Sequence, residues 1–293
     1  MQTKNTIAVI TMMEMRVETG IYGLDELLDS GYRPNTVNIV LGSTGTGKTI
    51  FALQFILKGL ERGEKGIFIS FDMGVKDVVD IASAMGWDDI GDYVDSGMLA
   101  VNKFYAENVS YINNDLLTFI ASEAGENTRI AIDSFTPLIS PLSYEMRNDV
   151  NWFFSKLREV GTAVITLEEP LNGNISEPSV TIPLFLGDCI IHLKNIGYGE
   201  AFNRTLRIIK HRGSWHAEGV FPYRILKGVG IVVEGWEFIE SMREELDLDK
   251  ILREAGIKKE KIDRDLLRKL QRLAESRTAG AKEVILGILR RQF

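Results

Sequence analysis

Along the chain, unbroken apolar runs alternate with stretches whose apolar positions recur every three or four residues, the two signatures of buried strands and amphipathic helices. Strands are predicted at Val37–Leu41, Gly66–Phe71, Leu99–Lys103, Ile130–Ile132, Ala163–Leu167 and Cys189–Leu193. Several are continuous Val/Ile/Phe runs, as strands covered on both faces require. Helices are predicted at Thr49–Glu61, Val75–Met85, Asp115–Ala124 and Val150–Val160, each followed closely by glycine or a polar turn. This alternation predicts an α/β fold, with a mostly parallel central sheet and helices on both faces.

After Leu193 the pattern becomes strand-like, and Arg204–Lys210 and Gly228–Val233, separated by turn residues, predict antiparallel hairpins at the sheet edge. Beyond about Ser241 it is helical, and Leu266, Leu267, Leu270 and Leu273 form one apolar stripe amid Arg and Lys. That stripe is expected to pack against the rest of the protein or to dock a partner. Residues 1–15 are apolar with methionines at 1, 12, 13 and 15, so Met13 or Met15 is an alternative start. The expected division is an extension over 1–15, an α/β domain over 16–240 and a short helical C-terminal extension over 241–293.

Composition changes this picture little. Hydrophobic residues make up 45% and charged residues 26%, as in soluble globular proteins, and no apolar run approaches the roughly 20 residues that span a bilayer. The N-terminus lacks the features of an export signal, and the lone Cys189 sits in an apolar run, so a cytoplasmic protein without disulfides or membrane contact is expected. Charge is more informative. Residues 251–293 hold twelve Lys/Arg against six Asp/Glu, leaving 22 against 35 in the remainder of a chain whose net charge is −7. An acidic body disfavours nucleic acid as a general partner, whereas the basic tail keeps a local strip open.

The chemistry begins at Gly42-Ser43-Thr44-Gly45-Thr46-Gly47-Lys48-Thr49, which matches G-x-x-x-x-G-K-[ST] between an apolar strand and an amphipathic helix. Glycines 42, 45 and 47 let backbone N–H groups approach phosphate oxygens where a Cβ would collide. Lys48 supplies charge to the β and γ phosphates, Thr49 a hydroxyl to magnesium, and the helix running on through Ile50 points its positive end at the anion. ATP with Mg2+ is the expected cofactor pair. Asp133, closing the run Arg129–Ile132, is the expected acidic partner of the magnesium shell.

Three motifs in order, Thr19-Gly20-Ile21-Tyr22-Gly23-Leu24-Asp25-Glu26-Leu27-Leu28, the phosphate loop with Asp133-Ser134, and Lys210-His211-Arg212-Gly213-Ser214-Trp215-His216, make residues 16–233 resemble a KaiC-type ATPase domain of the RecA-like P-loop superfamily. The resemblance implies a RecA core that assembles into a homo-oligomeric ring, commonly a hexamer, with ATP between subunits. It also implies that Lys210, Arg212, Ser214 and His216 act on the neighbour's nucleotide. Read without it, those four are a solvated basic turn. His192 and His211 are read as structural.

The resemblance breaks at one place. Where the family carries two consecutive glutamates this chain has Asp72-Met73; Asp72 can still accept a proton, Met73 cannot, and slow hydrolysis with Lys48 and Asp72 as catalytic groups is expected. Glu168 and Glu169 end the strand Ala163–Leu167, and one of them is expected to sense the γ-phosphate or to substitute for the missing carboxylate, with Glu168 the catalytic candidate, unless both lie in a solvated loop. Three functions stay open: a weak ATPase acting as a nucleotide-driven switch toward a protein partner, an ATP-binding regulator without significant hydrolysis, and a recombinase-like module handling nucleic acid. Autophosphorylation has no identifiable target residue.

Overall fold

Six apolar runs pair in parallel at the centre of one nine-stranded sheet, and the three strands that follow them extend it by antiparallel pairing. A computed structural model of the chain describes residues 16–105, 115–139, 147–170, 175–197, 204–235, 246–259, 262–275 and 281–292. The chain divides into two compact units, Met1–Glu234 and Gly235–Phe293.

In the first unit the strands are β1 (Val37–Gly42), β2 (Gly66–Ser70), β3 (Leu99–Lys103), β4 (Thr128–Asp133), β5 (Gly161–Glu168), β6 (Cys189–Asn195), β7 (Arg204–His211), β8 (Phe221–Leu226) and β9 (Gly230–Val233). Their order is β3-β2-β4-β5-β1-β6-β7-β8-β9. The helices are α1 (Lys48–Glu61), α2 (Val75–Ala84), α3 (Ile90–Asp95), α4 (Asp115–Glu123), α5 (Thr136–Ile139), α6 (Arg147–Val160) and α7 (Pro178–Leu186). Every residue of β1, β2 and β4 is buried, which is why their sequences are continuous apolar runs rather than alternating ones.

One face of the sheet, with Ile39, Ile130 and Ile165, packs on Phe153, Phe154 and Leu157 of α6 and on Ile120 of α4. Phe135 stacks on Phe153 with ring centroids 5.5 Å apart. Helix α1 packs against β4 and β2 with Phe51, Phe55 and Ile56 fully buried. Strand β8 and helices α3, α5 and α7 were not among the predicted elements. Strand β8 carries Pro222 and meets β7 at only two positions, so its sequence lacks the long apolar pattern of the central strands.

The motif around Thr19–Leu28 is a folded turn against α1. The Asp25 carboxylate accepts the Thr19 N–H at 2.8 Å, the Thr19 hydroxyl accepts the Ile21 N–H at 3.1 Å, and burial pushes the Asp25 carboxyl up to about 6. Gly20 has φ 77°, and a Cβ there would lie 2.7 Å from the Gln54 carbonyl oxygen, so two constraints exclude a side chain.

The second unit has its own core. Helices α8 (Leu248–Glu254), α9 (Arg264–Glu275) and α10 (Ala281–Gln292) bury Ile251, Leu252, Leu270, Ile285 and Leu289 together, with Leu266, Leu267 and Leu273 packed alongside. Asp247 caps α8 by accepting the N–H groups of Asp249 and Lys250. The predicted leucine stripe therefore closes within this unit. Among the described residues no helix is long and apolar enough to cross a membrane.

Arg129 is the largest fully buried side chain of the first unit. Its Nε donates to Glu64 Oε2 at 2.5 Å, its Nη1 donates to the carbonyls of Glu18 and Phe55, and the guanidinium lies 4.8 Å from the Phe55 ring centre. Gly59 leaves the room, since a Cβ there would meet the arginine stem at 2.4 Å. Removing one partner of a buried ion pair strands the other charge, at a cost of about 3 kcal/mol or more. Glu64→Ala is accordingly expected to lower unfolding stability by about 3 kcal/mol in urea titration, with Glu64→Gln intermediate; an unchanged midpoint would show that the carbonyls alone satisfy the guanidinium.

Candidate nucleotide site

Strand β1 lies between β5 and β6 with both pairings parallel, so three strands end together where Gly42 stands opposite Glu168 and Leu193. The loop from Gly42 to Gly47 leaves that edge and feeds α1. Gly45 and Gly47 hold φ of 81° and 94°, and a Cβ on Gly42 would lie 2.7 Å from Thr46 Oγ1 and 2.8 Å from the Leu193 carbonyl oxygen. A Cβ on Gly47 would strike Ile225 of β8 at 2.6 Å. The edge hairpin also holds the loop, because the Tyr223 hydroxyl donates to the Thr46 carbonyl at 2.5 Å. The first N–H groups of α1, including that of Ile50, have no partner one turn earlier in the helix and face outward as donors for an anion.

Lys48 is 6% exposed, and its Nζ donates to the carbonyls of Gly42 at 2.9 Å and Ser43 at 3.0 Å. The same Nζ lies 2.8 Å from Glu168 Oε1, while Thr44 Oγ1 approaches the other carboxylate oxygen at 3.4 Å. Asp133 ends β4, is 5% exposed, and accepts from Thr49 Oγ1 at 2.7 Å and Thr166 Oγ1 at 2.6 Å. Burial pushes its carboxyl above the usual range against the opposing pull of those hydroxyls and of Lys48. A buried carboxylate beside a hydroxyl supplies the hard oxygens that Mg2+ takes when phosphates complete its shell. The donor set thus fits the ion, and Thr49 and Asp133 are the residues that would hold it.

The two other acids proposed for chemistry stand differently. Glu168 contacts the phosphate-loop lysine directly. Asp72 follows β2 at the same edge but is exposed, and β4 and β5 stand between its strand and β1. Its backbone N–H and that of Met73 donate to Ser70 Oγ, and Lys103 donates to its carbonyl at 2.7 Å.

Sequence reasoning missed a further pair. Glu169 donates its N–H to the Gly42 carbonyl at 3.0 Å, and its Oε2 lies 3.1 Å from His192 Nε2. His192 faces Leu41 in the β1–β6 register, so this pair spans from β5 to β6 across the start of the loop. No local pattern marks it; only the strand order brings the two together. His211 fits the structural reading: it is buried, and burial pushes its imidazole down to about 4. Cys189 is also buried, and burial raises its thiol well above the usual value.

The basic motif lies elsewhere. Strand β7 runs against β6 with Cys189 opposite His211, which places its end beside the start of β1. Strand β1 is six residues long, so Arg212 and Gly42 are separated by most of its length, about 17 Å at roughly 3.3 Å per residue. Lys210 donates to the carbonyls of Leu184 at 2.9 Å and Phe185 at 3.3 Å, and Arg212 to that of Phe185 at 2.5 Å, so both sit on the negative end of α7. Burial, with Arg212 adding repulsion, pushes the Lys210 ammonium down to about 8. Ser214 donates to Asp29 Oδ2 at 3.0 Å and accepts from Arg16, and His216 Nδ1 lies 3.1 Å from the Ala217 carbonyl. These four residues do not meet the phosphate loop of the same chain.

Comparison with known proteins agrees with this geometry. The chain is 31% identical over 251 residues to the circadian clock protein KaiC3 of a Synechocystis species, an alignment covering 80% of this chain and 48% of that protein. It is 28% identical over 235 residues to the circadian clock oscillator protein KaiC of Prochlorococcus marinus, covering 76% and 46%. The chain thus spans about half the length of the curated relatives it matches. The crystal structure of a KaiC-like protein from the archaeon Pyrococcus horikoshii superposes with a TM-score of 0.64 at 30% identity, covering 75% of this chain and 99% of that one. The sequence profile of the family described as "ATPase: KaiC" matches residues 17–237, and the chain belongs to that KaiC ATPase family on a RecA-like P-loop fold.

Proposed function

We propose that the chain is a slow, magnesium-dependent ATPase that works as a nucleotide-driven oligomeric switch in the cytoplasm. The observation that carries this reading is the convergence of Lys48, Glu168, Thr49 and Asp133 on the glycine loop at the carboxyl edge of the sheet. Phosphate oxygens compete with Glu168 for the Lys48 ammonium, since one buried cation serves either acceptor at full strength. Released from Lys48, the Glu168 carboxylate becomes the base that accepts a proton from the attacking water, with Asp72 assisting from β2. Asp133 and Thr49 would hold Mg2+, which when bound would supply charge neutralisation to the phosphates.

Lys210 and Arg212 support the oligomeric part. They occupy the sheet edge opposite the loop, so a second copy is what brings such cations to a bound triphosphate. A guanidinium supplied from a neighbour spreads charge over the γ-phosphate oxygens and ties turnover to assembly. A ring, commonly six subunits, satisfies every site in this head-to-tail manner. The unbridged, buried Cys189 suits a reducing compartment. Switching toward a protein partner then follows from ATP and ADP stabilising different subunit contacts.

Light scattering is expected to report an assembly of several 32.9 kDa chains with ATP and Mg2+ and a smaller species without nucleotide, and Lys48→Ala is expected to remain small in both; a wild-type mass indifferent to nucleotide would overturn the switch. In single-turnover assays Glu168→Gln is expected to slow hydrolysis by about a hundredfold while ATP affinity stays within a few fold, as loss of a general base does. Asp72→Ala is expected to cost less than about tenfold, and a Glu168→Gln rate equal to wild type would remove Glu168 from the chemistry.

A further inference from the structure

The C-terminal unit separates its charges in a way its sequence does not disclose. Among the described residues, three of its cations pair inside the unit: Lys259 with Asp249 at 2.8 Å, Lys282 with Glu254 at 3.1 Å and Arg253 with Asp247 at 3.9 Å. Arg264, Arg268, Lys269 and Arg272 on α9 are exposed, and none of them pairs with a described acid. The opposite side of the same helix is spent on the unit's core through Leu270 and Ala274, with Leu266, Leu267 and Leu273 packed beside them. Among the described residues, helix α9 therefore presents four exposed cations that no acid of its unit pairs with.

Arg264, Arg268 and Arg272 follow one another every four residues, which sets them in a row about 12 Å long at roughly 1.5 Å rise per residue. A duplex nucleic acid presents one phosphate charge per roughly 1.7 Å of its axis, so such a row faces several phosphates at once. Recognition of single strands depends on aromatic side chains that stack on bases. Helix α9 contains no Phe, Tyr or Trp. Insertion into anionic lipid requires an apolar face left over for the membrane, and that of α9 is buried in the core.

We propose that α9 docks on the phosphate backbone of double-stranded nucleic acid, without reading its sequence. This inference is independent of the ATPase reading, because the acidic first unit, with 20 basic against 29 acidic residues over positions 1–234, repels the same ligand and leaves binding to the second unit alone.

The test uses the full chain and a fluorescent duplex of about 20 base pairs, with binding followed by anisotropy between about 50 and 200 mM salt. Four phosphate contacts predict a slope of about −3.6 in log affinity against log salt, a loss on the order of a hundredfold across that range. Replacing Arg264, Arg268 and Arg272 together by Gln is expected to reduce the slope to about −1 and weaken binding at least about tenfold. The same three positions changed to Lys should retain the slope, since charge and not fork geometry is at work, and Arg253→Gln should leave it unchanged. No duplex binding at about 50 mM salt, a slope unaffected by the Gln substitutions while the unfolding transition is intact, or stronger binding to a single strand or to vesicles containing anionic lipid would each overturn the proposal.

Discussion

Parallel pairing of β1 with β5 on one side and β6 on the other is the constraint on which the nucleotide site depends. It ends three strands at a common edge, so that Gly42, Glu168 and Leu193 share a row and the loop leaving β1 is walled by residues from both neighbours. Strand β4 adds Asp133 from the far side of β5, and Thr166 of β5 carries the hydroxyl that connects the two. Glu168, Asp133 and Thr166 are polar, and the last two are buried. They are tolerable there because every one has a named partner, which is the condition for keeping polar side chains out of water.

The parts of the site that the sequence made legible are those whose chemistry is local. A glycine loop between an apolar run and an amphipathic helix announces itself within eight residues, and an aspartate closing a buried strand follows from the need for a second acid. The remainder depends on which strands become neighbours. Glu169 and His192 are 23 positions apart and meet only because β5 and β6 flank the same strand. Tyr223 and Ile225 reach the loop from a strand that the hydrophobic pattern left unmarked, because β8 carries a proline and is only partly buried. Arg129 reads as an ordinary polar start to a strand, and its burial becomes intelligible only once Gly59, Glu64 and Phe55 surround it.

The leucine stripe at the C-terminus teaches the same lesson from the other direction. Its helical spacing was plain, but spacing alone does not say what covers an apolar face. Helices α8 and α10 cover it from within the unit, and this transfers interest from the leucines to the arginines on the opposite side. Charge segregation is thus a property of the folded unit and not of the sequence window.

The contacts of Lys210 and Arg212 carry one more implication. Both are donors already engaged by the last carbonyls of α7, joined there by Arg158 on the Leu186 carbonyl. A helix end and a phosphate are rival acceptors for the same hydrogens. In the proposed assembly, a neighbour's triphosphate would draw these cations off α7 and leave its final turn uncapped, so that the arrival of a nucleotide on one subunit would be felt as a loosened helix in the next.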